Sequence, residues 1–427
     1  MPVKRSFFIY FIDRTVGLFV EGRSLMSEKA ISARTKFGLV LHSPTFVVLW
    51  LSEALSLIGD RLIMVALVTL VYDRTGSASA VGLLMLCKAI PALALGSLAG
   101  ACVDRWNCKW IMVIANLLQG LLVFCLPLST GIVFIFVIYL AMSTVNQFFV
   151  PARSATIPDL VAQEALLSAN SLFAISFVIA MAIGPAIGTW ITERVSLNAA
   201  FYTDAATFLV PALAVTFLVI PRQCRTAAKP GLSSDLRAGL VFARSQPAVL
   251  AALATCSAAF LVIGTISVTG VVITREILNV DSSKFGVMMS ALGIGMLSGA
   301  VATGWLGRRF TYVQLIVAGV VLMALGMTAL PWSSSLVMAS SFTAAIGLGM
   351  IIVQVNGQTL LQTIAPAMRG RLMGISQTLT GSVTFLASAL VGLLVEHLNV
   401  IIVMGSVGMI TLAVAATVAI LYHNTSM

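Results

Sequence analysis

The chain has 427 residues, 59% of them hydrophobic and only 9% charged, with a formal net charge of +10. Soluble domains carry about 25% charged and about 45–50% apolar residues, so this composition excludes an ordinary soluble protein. No hydrophilic domain is present to display the 25 Lys and Arg, which excludes a nucleic-acid-binding surface as well.

At about 20–25 residues per crossing helix, a chain of this length accommodates roughly 12 spans. Apolar stretches of that size predict spans at Thr45–Val71, Ser77–Val103, Trp110–Ser129, Gly131–Val150, Ser168–Ile191 and Asn198–Ile220. A more polar connector follows at Pro221–Gln246, with five basic residues and one acidic residue. The second set is Ala248–Ile273, Ser282–Leu306, Tyr312–Leu330, Ser334–Thr359, Leu372–Val395 and Val400–Tyr422. The pattern predicts an all-α membrane protein with 12 transmembrane helices in two pseudo-symmetric six-helix bundles. Residues 44–220 and 247–427 form the bundles, 221–246 a cytoplasmic linker, and 1–43 a cytoplasmic N-terminal extension.

Alternate connections differ sharply in charge. Nineteen of the 25 Lys and Arg fall on the side of the linker, four (Arg74, Arg194, Arg275 and Lys284) on the other, and Arg61 and Lys88 inside spans. The excess of basic residues on cytoplasmic loops then places both termini in the cytoplasm. In the extension, Phe7–Ile12 is apolar but too short to span, and no A-x-A-like cleavage site follows it. It reads as an amphipathic or disordered segment at the inner leaflet, or as a misplaced start ahead of Met26. The six cysteines form no CxxC pair and none falls in an expected outer loop, so they read as small core residues, with no metal site or disulfide framework.

The two halves share features. Gly100-Ala-Cys-Val-Asp104-Arg105-Trp-Asn-Cys-Lys109 follows the second span, and Gly304-Trp-Leu-Gly-Arg308-Arg309 follows the eighth, at an offset of 204. Ala155-Thr-Ile-Pro158 follows the fourth span and Gln362-Thr-Ile-Ala-Pro366 the tenth. Such repetition argues for duplication of a six-helix unit.

These loops resemble the major facilitator superfamily, and in particular its bacterial efflux branch, which includes macrolide exporters and the enterobactin exporter. Gly100, Asp104, Arg105 and Lys109 match the superfamily signature between helices two and three, with Asn107 and Cys108 in place of a usual glycine and basic residue. The second half keeps the glycine and the Arg308-Arg309 pair. Branch-like segments also include Leu57-Ile-Gly59-Asp60, Tyr72-Asp-Arg-Thr75-Gly76-Ser77 and Pro151-Ala-Arg153-Ser-Ala-Thr-Ile-Pro158-Asp159-Leu160. Gly184-Pro185-x-x-Gly188 is similar to the family's antiporter motif, although Ala180 and Thr189 stand where glycine is frequent. The resemblance implies a cytoplasmic gate at Gly100, Asp104, Arg105, Lys109, Arg308 and Arg309. It also implies export, and places helices four and ten beside a central cavity, which makes Asn146, Gln354 and Gln358 candidate substrate contacts. Polar bonding between helices is the competing reading for these amides.

Ionisable groups inside a bilayer are costly and usually functional. Glu53 and Asp60 are seven residues apart and share a helix face. Asp60 and Lys88 each lie 11 residues from the outer end of their spans, roughly 16 Å deep, which permits an ion pair. Asp60 alternating between Lys88 and a proton would couple transport to proton flow, with Glu53 the second candidate; a static structural pair is the alternative. Arg61 is an alternative partner for Asp60 or Glu53. Asp204 reads as a hydrogen-bonded helix contact. Gly184 and Gly188 permit close helix approach, and Pro185 a bend.

The expected function is therefore proton-coupled export of an amphipathic small molecule across a bacterial inner membrane, by a monomer acting without a cofactor. A lysolipid flippase or facilitator of the same fold is the alternative. No phosphate-binding G-x-x-x-x-G-K-[ST] loop supports an ATP-driven pump, and His42, His397 and His423 lack the neighbours that a membrane enzyme needs.

Overall fold

A backbone amide or carbonyl left unpaired in hydrocarbon costs several kcal/mol, so a chain this apolar must close its hydrogen bonds within helices. The computed structural model describes residues 40–128, 131–220, 246–364 and 369–425. Twelve long helices run through these described residues. The first six are α1 (Pro44–Thr75), α2 (Ala78–Arg105), α3 (Cys108–Cys125), α4 (Ile132–Leu160), α5 (Leu166–Arg194) and α6 (Leu197–Thr216). The second six are α7 (Pro247–Val272), α8 (Phe285–Leu306), α9 (Tyr312–Ala329), α10 (Leu336–Ile364), α11 (Arg369–His397) and α12 (Val400–Thr425).

Each predicted span corresponds to one helix, in order. Ends differ where polar residues continue the helix past the apolar stretch: α4 runs on through Pro151 and Pro158 to Leu160, and α10 to Ile364. Starts are fixed by side-chain caps. Ser43, Ser77, Asn107 and Ser196 each accept from an amide in the first turn, and Thr311 with Gln314 forms a reciprocal capping box. Gly76 ends α1 at φ 61°, a left-handed conformation that lets the chain reverse directly into α2.

Packing repeats with the sequence. In the first half α1 packs on α5 and α6, α4 on α2 and α3, and α3 on α6. In the second, α7 packs on α11 and α12, α10 on α8 and α9, and α9 on α12, the same five contacts six helices on. Two seams carry most of the packing between halves, α2 on α11 and α5 on α8, and a pseudo-twofold axis exchanges them. Large apolar side chains such as Leu83, Ile90, Phe134, Val137 and Ile402 stand exposed on the outer surface, as expected where lipid is the solvent.

Residues 1–39 and the linker 221–245 lie outside the described residues, so the expected character of the extension and linker is not addressed by the fold. Val40 is fully buried in a cluster with Phe46, Trp50, Ile157 and Phe173, so packing begins ahead of the expected boundary at residue 44. Cys87, Cys102, Cys108, Cys125 and Cys256 are free thiols.

Candidate functional site

Five ionisable side chains meet inside the first half. Glu53, Asp60 and Arg61 come from α1, Lys88 from α2 and Arg153 from α4. Glu53 is 6% exposed and is bound by Arg153 Nη1 through its Oε1. The expected alternative, Glu53 with Arg61, does not form. Arg153 lies beyond the predicted span, whose apolar stretch ends at Val150; the continuation of α4 carries it inward instead. Its guanidinium also lies over the Phe173 ring of α5, 5.3 Å from the centroid. Glu53 Oε2 and Arg153 Nε are buried without a hydrogen-bond partner, so the pair uses only part of its bonding capacity.

Asp60 is half-buried and interacts electrostatically with Lys88 and Arg61. Among the described residues, neither Asp60 nor Lys88 makes a hydrogen bond or an ion pair within 4.0 Å. The buried contact pair that their equal depth permits is thus replaced by two opposite charges held apart. Arg61 stacks over Phe177, 4.8 Å from the ring centroid, with its Nε buried and unpartnered. Tyr139 of α4 completes the group, in electrostatic range of both Asp60 and Arg61.

The packing behind this group explains its placement. A Cβ on Gly188 would lie 2.8 Å from the Leu62 carbonyl oxygen, and one on Gly184 would lie 2.9 Å from that of Ile58. These two glycines therefore let α5 ride directly on the stretch of α1 that bears Asp60 and Arg61. Pro185 sits where α8 crosses: a Cβ on Gly286 would come 2.6 Å from its carbonyl oxygen. Asp204 is 0% exposed, accepts from the Thr207 hydroxyl at 3.0 Å, lies against Gly59 of α1 and is in electrostatic range of Asp60, with its Oδ2 buried and unpartnered. It is a helix contact, as the sequence reading has it.

Asn146 on α4 and Gln354 and Gln358 on α10 are half-buried, and among the described residues none of them forms a hydrogen bond. Asn356 instead points into its own helix, donating to the Ile352 carbonyl oxygen at 2.8 Å. At the linker end, Gly100 and Asp104 fall in the last turns of α2, with their surroundings outside the described residues. Arg105 ends that helix exposed, Lys109 lies over Trp110, and Arg309 lies over Trp305 at 5.3 Å. Arg308 occupies the turn after α8 and has an interaction partner.

Sequence reasoning missed a polar clasp at the opposite end. The Tyr72 hydroxyl donates to Glu276, which a single π-helical turn, Ile273–Ile277, presents at the end of α7. Ser282 donates to Asp73 at 2.6 Å, Ser283 to Glu193 at 2.7 Å, and Lys284 to Glu193 at 2.6 Å. Glu396 accepts from Ser77, from the Ser79 hydroxyl at 2.7 Å and from the Ser79 amide at 3.2 Å. Every one of these contacts joins the two halves. A signal was present in the offset: Tyr72 and Glu276, and Ser79 and Ser283, are each 204 apart.

Comparison with known proteins agrees with this architecture. The Major Facilitator Superfamily profile matches residues 49–388 and, in a second match, 255–426. The chain is 26% identical to the MFS-type transporter YfiS of Bacillus subtilis, over 82% of this chain and 86% of that one. It is 25% identical to macrolide efflux protein A of Streptococcus pyogenes, over 83% and 88%. With multidrug efflux pump Tap of Mycolicibacterium fortuitum the identity is 24%, over 75% and 82%. Among solved structures, the nucleoside transporter NupG superposes with a TM-score of 0.68 at 16% identity, covering 89% of this chain and 98% of that one. An inward-facing, unoccupied bacterial homolog of the human lysosomal transporter Spinster gives 0.67 at 12%, covering 88% and 94%. The profile match spans most of the chain, and the protein belongs to the Major Facilitator Superfamily.

Proposed function

We propose that this transporter exports amphipathic small molecules across the bacterial inner membrane, drawing on inward proton flow by alternating access. The observation that carries the reading is Asp60: a half-buried carboxyl in the membrane interior, facing Lys88 and Arg61 but bonded to neither among the described residues. A carboxyl so placed can exchange partners without breaking a packed ion pair, which is what proton exchange requires. Glu53 is the second coupling candidate, through its unpartnered oxygen. The distribution of Lys and Arg puts the clasped end outside, so the conformation is one closed toward the outer face. The basic loops at Arg105, Lys109 and Arg308–Arg309 are the corresponding inner gate. The efflux relatives support the direction of transport, and Asn146, Gln354 and Gln358 are the proposed amide lining of the substrate path.

The test is substrate-triggered proton movement in energised inverted vesicles, comparing the protein with Asp60→Asn. The panel comprises macrolides, cationic dyes, fluoroquinolones, a catechol siderophore and a lysolipid. Collapse of the pH gradient by one of these compounds, abolished in Asp60→Asn, is the expected result. Substrate movement without any collapse would overturn proton exchange and leave a facilitator or lipid flippase.

A further inference from the structure

Arg61 follows Asp60 directly, so opposite charges leave neighbouring positions of α1, and the longer side chain could fold back onto the carboxyl. It does not: among the described residues the Arg61 guanidinium makes no hydrogen bond and no ion pair within 4.0 Å. Two residues of α5 direct it elsewhere. A Cβ on Gly184 would lie 2.5 Å from the Arg61 Cβ and 3.5 Å from its Cγ, so the bare backbone there seats the root of the side chain. Helical side chains lean toward the N-terminus of their own helix. In that direction α5 runs parallel to α1, with Trp50 Nε1 donating to the Ser176 hydroxyl at 2.9 Å. Phe177 follows Ser176, seven positions before Gly184 and on the same face of α5, and its ring takes the guanidinium at 4.8 Å from the centroid. The Arg61 Nε is buried without a hydrogen-bond partner, so the ring is what receives the charge.

A guanidinium in contact with Asp60 would hold the carboxyl ionised, whereas one kept at a distance leaves it able to take up and release a proton. We infer that Phe177 is a positioning residue for proton exchange: its ring keeps the Arg61 guanidinium off Asp60, and Gly184 makes room for the stem that reaches the ring. The inference rests on the proton-exchange reading above and deepens it. The face of an aromatic ring attracts a cation without carrying a charge of its own, so it anchors Arg61 without placing another anion near Asp60. A carboxylate in the same position would bind Arg61 as well but would add that charge. The glycine of the antiporter-like segment thereby gains a specific task, the seating of one arginine stem. Glu53 on α1, Lys88 on α2, Tyr139 on α4 and Asp204 on α6 also lie in electrostatic range of Asp60. They are common to every variant below, so differences among those variants report on Arg61.

Asp60 is probed directly by labelling with a hydrophobic carbodiimide, which reacts with the protonated carboxyl. The protein is held in nanodiscs at a series of pH values, and the peptide bearing Asp60 is quantified by mass spectrometry with Asp60→Asn as the blank. Arg61→Gln removes the cation and should move the labelling midpoint to higher pH by about half a unit or more. Phe177→Leu frees the guanidinium to reach the carboxyl and should move the midpoint in the opposite direction. Phe177→Tyr keeps a ring face and should leave it in place. Phe177→Leu combined with Arg61→Gln should match Arg61→Gln alone, because the ring acts only through Arg61. A midpoint that Phe177→Leu leaves unmoved or raises, or that Phe177→Tyr lowers as far, overturns the inference. So does a midpoint indifferent to Arg61→Gln, which decides the matter if the leucine variant does not fold. Because neither substrate nor gradient is used, that failure leaves the exchange reading standing. An undisturbed pH gradient in vesicles, with the opposed shifts intact, would sink only the exchange.

Discussion

Arg153 ties three helices together: it bonds Glu53 on α1, stacks on Phe173 of α5 and belongs to α4. Removing one member of a buried ion pair strands the other, at a typical cost of about 3–5 kcal/mol, whereas removing both together is far less damaging. Glu53→Gln and Arg153→Gln should therefore each lower the thermal midpoint in detergent, and the double variant should recover much of the loss. Simple additivity in that cycle would show that the two side chains are energetically independent. The pair also marks a limit of the sequence. Glu53 is visible as a carboxyl in an apolar span, but Arg153 follows Val150-Pro151, where hydropathy ends the span and proline suggests a break. Asp60, Arg61 and Lys88 were legible because nothing polar surrounds them in sequence. That Asp60 and Lys88 stand apart was not, because equal depth fixes height along the membrane normal and leaves lateral separation open.

Helix positions were readable throughout, since the bilayer imposes span length and backbone closure on any sequence that crosses it. Helix contacts were readable only where small residues announce them. Gly184 and Gly188 are such a case, and the structure gives them a specific neighbour, the Ile58–Leu62 stretch of α1. Overpacking a tight contact typically costs about 1–3 kcal/mol. At Gly188 the nearest atoms are backbone, at 2.8 and 3.1 Å from an added Cβ, and backbone has little room to yield. Gly188→Leu should thus lower the thermal midpoint and, by displacing Asp60 and Arg61, abolish the proposed proton-coupled transport. Gly405→Leu on α12 is the matched comparison, because nothing lies within 4 Å of an added Cβ there. Equal effects at the two positions, measured by thermal unfolding and vesicle transport, would remove the special standing of the α1–α5 contact. Gly286 and Gly293 show how easily such contacts are overlooked: they bring α8 against α5 across the halves without any motif to flag them.

Duplication governs the molecule as a whole, and the clasp between halves follows its symmetry. Glu193, at the end of α5, receives Ser283 and Lys284 at the entry to α8; Glu396, at the end of α11, receives Ser77 and Ser79 at the entry to α2. Advancing six helices turns one arrangement into the other, so a single device is used twice, once on each seam. Charged contacts this exposed contribute about 1 kcal/mol or less each, and about 1.4 kcal/mol changes a two-state ratio tenfold. Loss of either glutamate should therefore raise the population open at this end several-fold, and loss of both should raise it further than either alone. Ala78 is a suitable reporter, since it is 4% exposed and its carbonyl oxygen would lie 2.8 Å from a Cβ on Gly392 across the α2–α11 seam. In a background with the native cysteines replaced, Ala78→Cys should react slowly with an impermeant maleimide supplied from the outer face. Adding Glu396→Ala should accelerate the reaction, and so should Glu193→Ala on the distant seam, because the two seams must part together when rigid halves rock about one axis. Acceleration by Glu396→Ala alone would mean that the seam frays locally, and that the symmetry of the clasp is inherited from the duplication without acting in the transport cycle.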